Sequence, residues 1–483
     1  MQPGAAQGDQ PRAGPGGWRP SGAEGRFAGM SLDRRQEESP PVGGVEDLVA
    51  YFRARERPAA QWRVGIEHEK VGLVAGTLDP IPYRGPSGIA TLLRGFSRFG
   101  HAPFEEDGNV IAAQKGGLTV SIEPGGQVEL SGRPFKDVHV VAAEIDRHLE
   151  ACAELSRELG LEFLAVGYRP WGRPADMPWV PKARYQVMRP FLAARGTRGE
   201  DMMAMTGSTQ ASFDFGSERD MAEKLRVALA AQPPVVALFA NSAVVDGRES
   251  GWKCFRVEVW NHVDATRCGL PDFPFQPGFD GEAYRRYVEW ALDVPMVFLR
   301  REGRYLDTRG LTFRAFLAGG MAEVTPTLTD WEDHLTTLFP EVRVKGVVEV
   351  RGADACDAAM VKALAALWKG ILYSRESRDW AWDQVKRFTV AERRALMRAA
   401  GREGLSARAP DGRTLAEIAG SLVDAAAAGL CRQNACGQKG EDERVWLAPL
   451  AERVRSGRSP ADEALEAFRR GGDRALAEHL RVA

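Results

Sequence analysis

Two short segments of this sequence place carboxylates on one side of a predicted strand. The first contains Glu67 and Glu69, and the second contains Glu123 and Glu129. Alternate side chains of a strand point to opposite faces, so each pair lies on a polar face whose reverse is apolar. Unpaired carboxylates about 4 Å apart repel each other by about 4 kcal/mol at an effective dielectric constant near 20. A cation is therefore expected between them, and Mg²⁺ fits because it binds oxygen ligands and bridges carboxylates to nucleotide phosphates.

A simpler interpretation places the same carboxylates on the solvated outer face of an antiparallel sheet. A single Glu-x-Glu pattern on a strand favours that interpretation. A second pair of carboxylates with the same parity makes a metal site as well supported as a solvated face, since clustered acids are typical of functional sites. The residues alone leave both interpretations open.

Three further strands are predicted to contribute polar side chains. Residues 206–214 form the third strand, residues 252–260 a fourth that carries Arg256, and residues 342–351 a fifth. The third strand has one polar face: Thr206, Ser208, Gln210, Ser212 and Asp214. The fifth has a charged face: Arg343, Lys345, Glu349 and Arg351.

These elements predict an α+β fold in which a mostly antiparallel sheet turns its polar face to a cavity and its apolar face to helices. No strand leads into G-x-G-x-x-G and no phosphate-binding P-loop is present, so a Rossmann fold is disfavoured. We predict a disordered tail at 1–44, with Met30 as an alternative start, a catalytic domain at 45–375 and a helical region at 376–483.

Composition narrows the class of protein. The chain has 483 residues, of which 44% are hydrophobic and 27% charged, with a formal net charge of −2. This balance is globular, and it predicts neither nucleic-acid nor membrane binding. The six cysteines form no C-x-x-C pair and are expected to be reduced, which suggests a cytoplasmic location.

Eight segments in order resemble the plant and proteobacterial type of glutamate–cysteine ligase, and the likeness spans roughly residues 45–475. The segments are residues 65–70, 123–132, 201–203, 239–242, 291–296, 312–319, 334–343 and 351–354.

This resemblance implies a glutamine-synthetase-like carboxylate–amine ligase fold, in which a curved antiparallel sheet surrounds ATP, glutamate and Mg²⁺. It also implies the reaction. The side-chain carboxylate of L-glutamate attacks the γ-phosphate of ATP, and the amine of L-cysteine attacks the resulting γ-glutamyl phosphate. The product is γ-glutamylcysteine, the first intermediate of glutathione synthesis. Such phosphoryl transfer depends on charge neutralisation and positioning, which the acidic strands suit.

The resemblance also assigns roles to individual residues. The expected Mg²⁺ ligands, direct or through water, are Glu67, Glu69, Glu123 and Glu129, and Glu67 and Glu129 are expected to be catalytic together with Arg256. The expected substrate-binding residues are Arg184, Met205, Thr206 and Arg256, and the expected ATP-binding residues are Lys70 and Arg351. Arginine forks match carboxylate and phosphate oxygens. His68 points to the apolar face by parity and is interpreted as structural.

The chain departs from the plant members of that family, which carry cysteine pairs that form regulatory disulfides. At the corresponding positions it has Thr308, Ala142, Ala143 and Met360, so neither plant pair is present. Cys254 and Cys268 remain as a candidate pair, which we expect not to form.

Three functions are weighed. The leading prediction is the glutamate–cysteine ligase, with glutamate, cysteine and ATP as partners and a monomer or homodimer as the assembly. The first alternative is a γ-glutamyl ligation that serves ergothioneine or uses another amine. The second is a catalytically inactive regulatory relative, which loss of the acidic residues would signal; all four are present.

Overall fold

The computed structural model describes residues 39–321, 324–437 and 440–483. Residues 1–38 of the predicted disordered tail, including Met30, lie outside these ranges. Residues 39–44 of that predicted tail lie within them, and Pro40 and Val42 form backbone hydrogen bonds with Leu328 and Pro326. Within the described ranges, none of the helices combines the length and the hydrophobicity that a membrane crossing requires.

Fifteen strands occur among the described residues. In chain order they are β1 (Val64–Val74), β2 (Ala102–Glu106), β3 (Asn109–Lys115), β4 (Leu118–Ile122), β5 (Val128–Ser131), β6 (Leu161–Leu164), β7 (Ser208–Phe213), β8 (Val244–Val245), β9 (Arg248–Glu249), β10 (Cys268–Gly269), β11 (Phe298–Arg301), β12 (Arg304–Asp307), β13 (Phe339–Pro340), β14 (Val342–Val344) and β15 (Val348–Asp354).

One large antiparallel sheet contains nine of these strands. Its order is β14-β15-β7-β1-β5-β4-β3-β2, and β6 pairs with the second half of β1. Every pairing in this sheet is antiparallel. The predicted α+β class with an antiparallel sheet is confirmed. β1 is central, because it pairs with β5 on one side and with β7 on the other.

The helices, in chain order, are α1 (Val45–Arg53), α2 (Ile89–Gly95), α3 (Val138–Leu159), α4 (Ala183–Ala193), α5 (Gly199–Met205), α6 (Glu218–Ala230), α7 (Gln232–Leu238), α8 (Phe255–Trp260), α9 (Ala283–Leu292), α10 (Phe313–Leu317), α11 (Leu328–Thr336), α12 (Ala358–Leu372), α13 (Arg375–Val385), α14 (Val390–Glu403), α15 (Leu415–Gln433), α16 (Ala448–Ser456) and α17 (Pro460–Leu480). α3 and α12 pack against β1, and α12 also packs against β7. Helices therefore cover the apolar face of the sheet, as predicted.

The end signals of α3 are readable in the sequence. Asp137 precedes the helix, and its side chain accepts a hydrogen bond from the backbone N–H of His139. Gly160 follows it with φ of 66°, a left-handed conformation that glycine adopts without strain. These two caps position α3 under β1, where Val141 and Ile145 join the core.

The predicted fifth strand is wrong in one respect, because residues 342–351 form a hairpin rather than one strand. β14 and β15 are joined by a turn in which Gly346 has φ of 113°. The prediction of a shared face survives this correction, since Arg343 pairs directly with Glu349 across the hairpin. The charged residues at alternate positions indicate a strand, but they do not reveal the turn that Gly346 makes between β14 and β15.

The predicted fourth strand at 252–260 is wrong, because residues 255–260 form the short helix α8. The alternation of apolar Val257 and Val259 with polar Arg256 and Glu258 indicated a strand. In the structure this segment is instead a helix that packs against α5 and α14. Buried contacts on several sides suit a helix as well as a strand, and tertiary packing overrides the β propensity of these residues.

The C-terminal helices pack on the helices under the sheet. α15 lies against α12 and α7. Lys369 on α12 forms a buried ion pair with Glu443, whose carboxylate oxygens lie 2.6 and 2.5 Å from the Lys369 Nζ. The boundary between residues 375 and 376 stays a prediction.

Acid is expected to destabilise the fold through His334 on α11. Burial, opposed by a hydrogen bond from Nε2 to the Ala291 carbonyl, lowers the pKa of His334 to about 4. The unfolded chain binds a proton near pH 6.5 and the folded chain does not, so stability is full above pH 6.5 and falls as the pH drops towards 4. We expect this residue to contribute about 3 kcal/mol to that loss.

The measurement is urea unfolding of the wild type and of His334→Gln between pH 7 and pH 4. The variant should lose less stability on acidification, and the exposed His262→Gln should behave like the wild type. An equal pH dependence in all three proteins contradicts the prediction.

Candidate active site

Four carboxylates line one narrow cavity on the polar face of the sheet. They are Glu67 and Glu69 from β1, Glu123 from the turn after β4, and Glu129 from β5. Glu69 lies directly opposite Glu129 in the register of β1 and β5. The next strand adds Ser121, whose hydroxyl donates to the Glu129 carboxylate at 2.9 Å. The predicted single strand that carries both Glu123 and Glu129 is wrong, because β4 and β5 form a hairpin and Glu123 lies in its turn. The cavity nevertheless gathers all four carboxylates.

Burial and the neighbouring negative charges raise the pKa values of Glu67 and Glu69. Burial, followed by the charges of Glu129 and Glu123, raises the pKa of Glu69 to about 8. Burial, followed by the charges of Glu129 and Glu349, raises the pKa of Glu67 well above its usual value. The backbone N–H of Ser208 donates to Glu69 at 2.7 Å and stabilises its ionised form only in part. Such a cluster favours a bound cation, which would offset the repulsion.

The Pro-Gly-Gly turn that carries Glu123 packs against the end of α5. A Cβ at Gly125 would lie 2.1 Å from the Ala204 carbonyl oxygen, so only glycine fits there. The Gln127 amide donates to the Met203 and Thr206 carbonyls at 3.3 and 2.8 Å. The turn therefore holds Glu123 and Thr206 in a fixed relation on one wall of the cavity.

Arg256 reaches the cavity from α8. Its Nη1 and Nη2 donate to the carbonyls of Gly352 and Arg351 at 3.0 and 2.8 Å, which fixes the guanidinium plane against β15. Its Nε is buried and has no hydrogen-bond partner among the residues that the structure describes. Arg256 lines the cavity, and its cationic side chain there is suited to an anionic oxygen of a substrate.

Arg351 and Arg184 complete the cationic wall. Arg351 on β15 donates to Gln210 at 2.5 Å and contacts Glu349 at 3.3 Å. Although burial acts to raise it, the charges of Arg343 and other nearby cations hold the pKa of Glu349 below its usual value. Arg184 lies in the first turn of α4, with its guanidinium over the Phe298 ring. Arginines therefore border the same cavity as the four carboxylates.

Two of the predicted site residues do not reach the cavity. Lys70 lies on the opposite face of β1 from Glu69, where its Nζ donates to the His68 carbonyl at 2.9 Å and burial lowers its pKa to about 8. Met205 is fully buried, and Met202 and Met203 line the cavity in its place. The reason for the first difference is the strand period of two, which turns neighbouring residues to opposite faces.

The cavity also contains residues that sequence reasoning did not assign to it. Ser208 and Gln210 belong to the predicted polar face of β7, so parity was a usable signal. Trp260 and Phe339 carried no signal, because nothing in their local sequence places them together. The additional residues are Pro124, Gln127, Tyr185, Met188, Met202, Met203, Ser208, Gln210, Trp260 and Phe339.

The donor set is compatible with magnesium. Across residues 39–321, 324–437 and 440–483, no three His, Cys, Asp or Glu side chains are grouped closely enough to hold a metal ion. Mg²⁺ usually keeps several waters and takes one or two carboxylates together with substrate phosphates. The carboxylates of this cavity meet that requirement in ligand type and in charge.

A cavity that sets carboxylates beside arginines on an antiparallel sheet is suited to phosphoryl transfer, which depends on positioned charge. The model of the Glutamate-cysteine ligase family 2 (GCS2) matches residues 63–479. The chain belongs to this family of enzymes, which confirms the predicted family and the enzyme class.

Several curated relatives are similar over most of their length. The "Glutamate--cysteine ligase, chloroplastic" of Nicotiana tabacum is 40% identical over 88% of this chain and 79% of its own, and that of Medicago truncatula is 39% identical over 88% and 82%. "Glutamate--cysteine ligase A, chloroplastic" of Oryza sativa subsp. japonica is 37% identical over 93% and 90%. Among solved structures, a bifunctional glutathione synthetase from Pasteurella multocida aligns with 90% of this chain and 53% of its own, at 11% identity and a TM-score of 0.49.

The predicted cytoplasmic location is wrong in the light of these relatives, which are named chloroplastic. The prediction rested on reduced cysteines. Reduced cysteines indicate a reducing environment and do not distinguish one such compartment from another.

Activity is expected to be indifferent to reductant. All six cysteines are described and none forms a disulfide. Cys254 is buried and donates its S–H to Asp354 at 3.2 Å, so it is held away from a disulfide with Cys268. Turnover with and without dithiothreitol should agree in the wild type and in Cys254→Ser. A several-fold oxidative change that Cys254→Ser abolishes contradicts this expectation.

Proposed function

We propose that this chain joins the side-chain carboxylate of L-glutamate to the amine of L-cysteine, with cleavage of ATP to ADP and phosphate. The observation that supports this most is the placement of four carboxylates and three arginines around one cavity. The family of the chain supplies the substrates that this arrangement would serve. The product is γ-glutamylcysteine, the first intermediate of glutathione synthesis.

Mg²⁺ is the proposed cofactor, held by Glu67, Glu69, Glu123 and Glu129, directly or through water. When bound, it supplies positive charge that neutralises the phosphate oxygens during transfer. Glu69 and Glu129 face each other across the β1–β5 pair and are the central candidates. Since burial and like charge raise the pKa of Glu69, cation binding there is expected to release a proton.

The arginines are proposed to bind and orient the anionic substrates. The guanidinium of Arg256 donates to an oxygen of the glutamate carboxylate or of the transferring phosphate. Arg184 contributes a second cationic group from α4, and Arg351 binds phosphate beside Gln210. Thr206, which lines the cavity, is proposed to bind glutamate, and its hydroxyl is fixed by a hydrogen bond to the Met202 carbonyl at 2.6 Å.

The reaction proceeds in two steps. An oxygen of the glutamate side-chain carboxylate forms a bond to the γ-phosphorus, the bond to the ADP oxygen breaks, and γ-glutamyl phosphate forms. The cysteine nitrogen then bonds to the acyl carbon, phosphate leaves, and the nitrogen loses a proton. The chain's residues contribute in-line positioning and stabilise charge, which is what such transfer requires.

The test is a coupled assay for ADP with mass-spectrometric detection of the product. ADP release should require glutamate, cysteine and Mg²⁺ together, and omission of any one should abolish it. A panel of amines then separates cysteine from other acceptors. Preference for another amine supports the first alternative, and the absence of turnover with every amine supports an inactive regulatory relative.

The remaining features of the proposal concern organisation. Residues 45–375 are proposed as the catalytic domain, and residues 376–483 as a helical region packed on it. A monomer or a homodimer is proposed as the assembly. Sedimentation at several protein concentrations distinguishes the two.

A further inference from the structure

Asp354, at the end of β15, is a buried carboxylate that joins three separate segments. Its side chain has no exposed surface. One oxygen, Oδ2, accepts from the backbone N–H of Asn241 at 2.8 Å and from the Ser242 hydroxyl at 2.7 Å. These two contacts tie β15 to the loop that follows α7.

The other oxygen of Asp354 faces the start of α8. Oδ1 accepts from the Cys254 thiol at 3.2 Å and lies 3.4 Å from the Nη1 of Arg256. The hydroxyl of Ser242, already bound to Asp354, also lies 3.5 Å from the backbone nitrogen of Arg256. A carboxylate accepts about four hydrogen bonds, so the partners named here occupy the full hydrogen-bonding capacity of Asp354.

The backbone leaves the Asp354 carboxylate no room to turn. A Cβ at Gly167 would lie 2.1 Å from the Asp354 Cγ, so the chain approaches the carboxylate as closely as only glycine allows. Gly167 is itself held by hydrogen bonds with Asn241 and Gly207. The orientation of the carboxylate, and with it the position of Oδ1, is therefore fixed by packing.

We propose that Asp354 is a positioning residue for the ligase reaction, which holds the first turn of α8 and the guanidinium of Arg256 in place at the wall of the cavity. This inference rests on the proposed function. Carbonyls of β15 fix the plane of the guanidinium, and Asp354 sets where the helix that carries Arg256 begins. A displacement of 1 Å at such a group costs about 100-fold in rate.

The test is a double-mutant cycle with Arg256→Ala. Asp354→Asn keeps the shape of the side chain but replaces one acceptor oxygen by an NH₂ that opposes its donors. We expect kcat/KM to fall by about 10- to 100-fold, with the dependence on Mg²⁺ unchanged. In the Arg256→Ala background the same change should have almost no further effect, because the group that Asp354 positions is gone. Additive losses in the two backgrounds overturn the proposal.

A second, milder variant keeps the proposal testable if Asp354→Asn fails to fold. Ser242→Ala removes one hydrogen bond at Oδ2 and leaves the carboxylate in place, so the protein is expected to fold. Its loss of kcat/KM should be smaller, about threefold to tenfold, and should also vanish in the Arg256→Ala background. A Ser242→Ala loss of the same size in both backgrounds also overturns the proposal.

Asp330→Asn is the matched control. Asp330 is equally buried and is bonded to an arginine, Arg301, and to Thr327, but it lies outside the cavity. It should change thermal stability without changing the kinetics of the folded enzyme. Failure of the proposed function would show first as a wild type without γ-glutamylcysteine synthesis, whereas failure of this inference shows only in the cycle.

Discussion

Glu129→Gln is expected to lower kcat by at least about 100-fold while the fold stays intact, since loss of one group that stabilises transition-state charge costs 10²–10³. Glutamine keeps the shape of the side chain and the hydrogen bond with Ser121, but it removes the charge that faces Glu69. Because the carboxylates repel one another, the melting temperature without Mg²⁺ should stay the same or rise. The increase in melting temperature on addition of Mg²⁺ and ATP should be smaller than in the wild type. Without the Glu129 carboxylate the protein binds Mg²⁺ more weakly, and weaker binding stabilises the folded state less.

Glu67→Gln is expected to behave in the same way, because burial and the charges of Glu129 and Glu349 act on Glu67 as well. Glu144→Gln serves as the control. Glu144 is a buried carboxylate paired with Arg133 and lies outside the cavity, so its loss should leave kcat unchanged. Wild-type turnover in both Glu67→Gln and Glu129→Gln would contradict the proposal that these carboxylates bind Mg²⁺.

Arg256→Lys is expected to lower activity by about 100-fold or more, although the charge is retained. In the structure two nitrogens of Arg256 are bound to the carbonyls of Arg351 and Gly352, and the third, Nε, has no hydrogen-bond partner among the described residues. We expect the guanidinium also to contact substrate. A lysine has one nitrogen, so it cannot keep both the anchoring contacts and the substrate contact. Steady-state kinetics with glutamate and ATP varied separately would show which substrate depends on the fork.

Arg55→Lys is the control for the arginine prediction. Arg55 is buried and paired with Glu332, and neither residue lines the cavity. The change should leave kcat/KM for both substrates near the wild-type value. Near-normal activity in Arg256→Lys would show that Arg256 does not act in the active site.

Strand periodicity correctly predicted that Glu67, Glu69 and Glu129 share a face of the sheet, but not that Glu123 lies in a turn. The polar parity of Glu67 and Glu69 on β1, and of Glu129 on β5, is the parity that the sheet uses. It also predicted the polar face of β7, although Ser208 and Gln210 were not assigned to the site. Alternation is a local property of the backbone, so it can be read from sequence without knowing the partners of a strand.

Residues placed by tertiary packing were harder to predict. Arg256 was assigned to the site through resemblance and to the wrong element through its alternating neighbours, because contacts with α5 and α14 decide the conformation of α8. Lys70 was assigned to ATP although its parity opposes that of Glu69. Trp260 and Phe339 meet across a long stretch of chain, with ring centroids 5.7 Å apart, and no local pattern announces such a contact.

The order of charges along the chain has a consequence for folding. β1, β4 and β5 bring the four carboxylates together within the first part of the sheet, whereas the arginines of the cavity come from α4, α8 and β15, much later in the chain. Contacts between residues so distant in sequence form slowly, because a long loop must close first. During folding the early strands therefore carry uncompensated negative charge. Divalent cations in the medium are expected to quicken refolding for that reason, before any substrate binds.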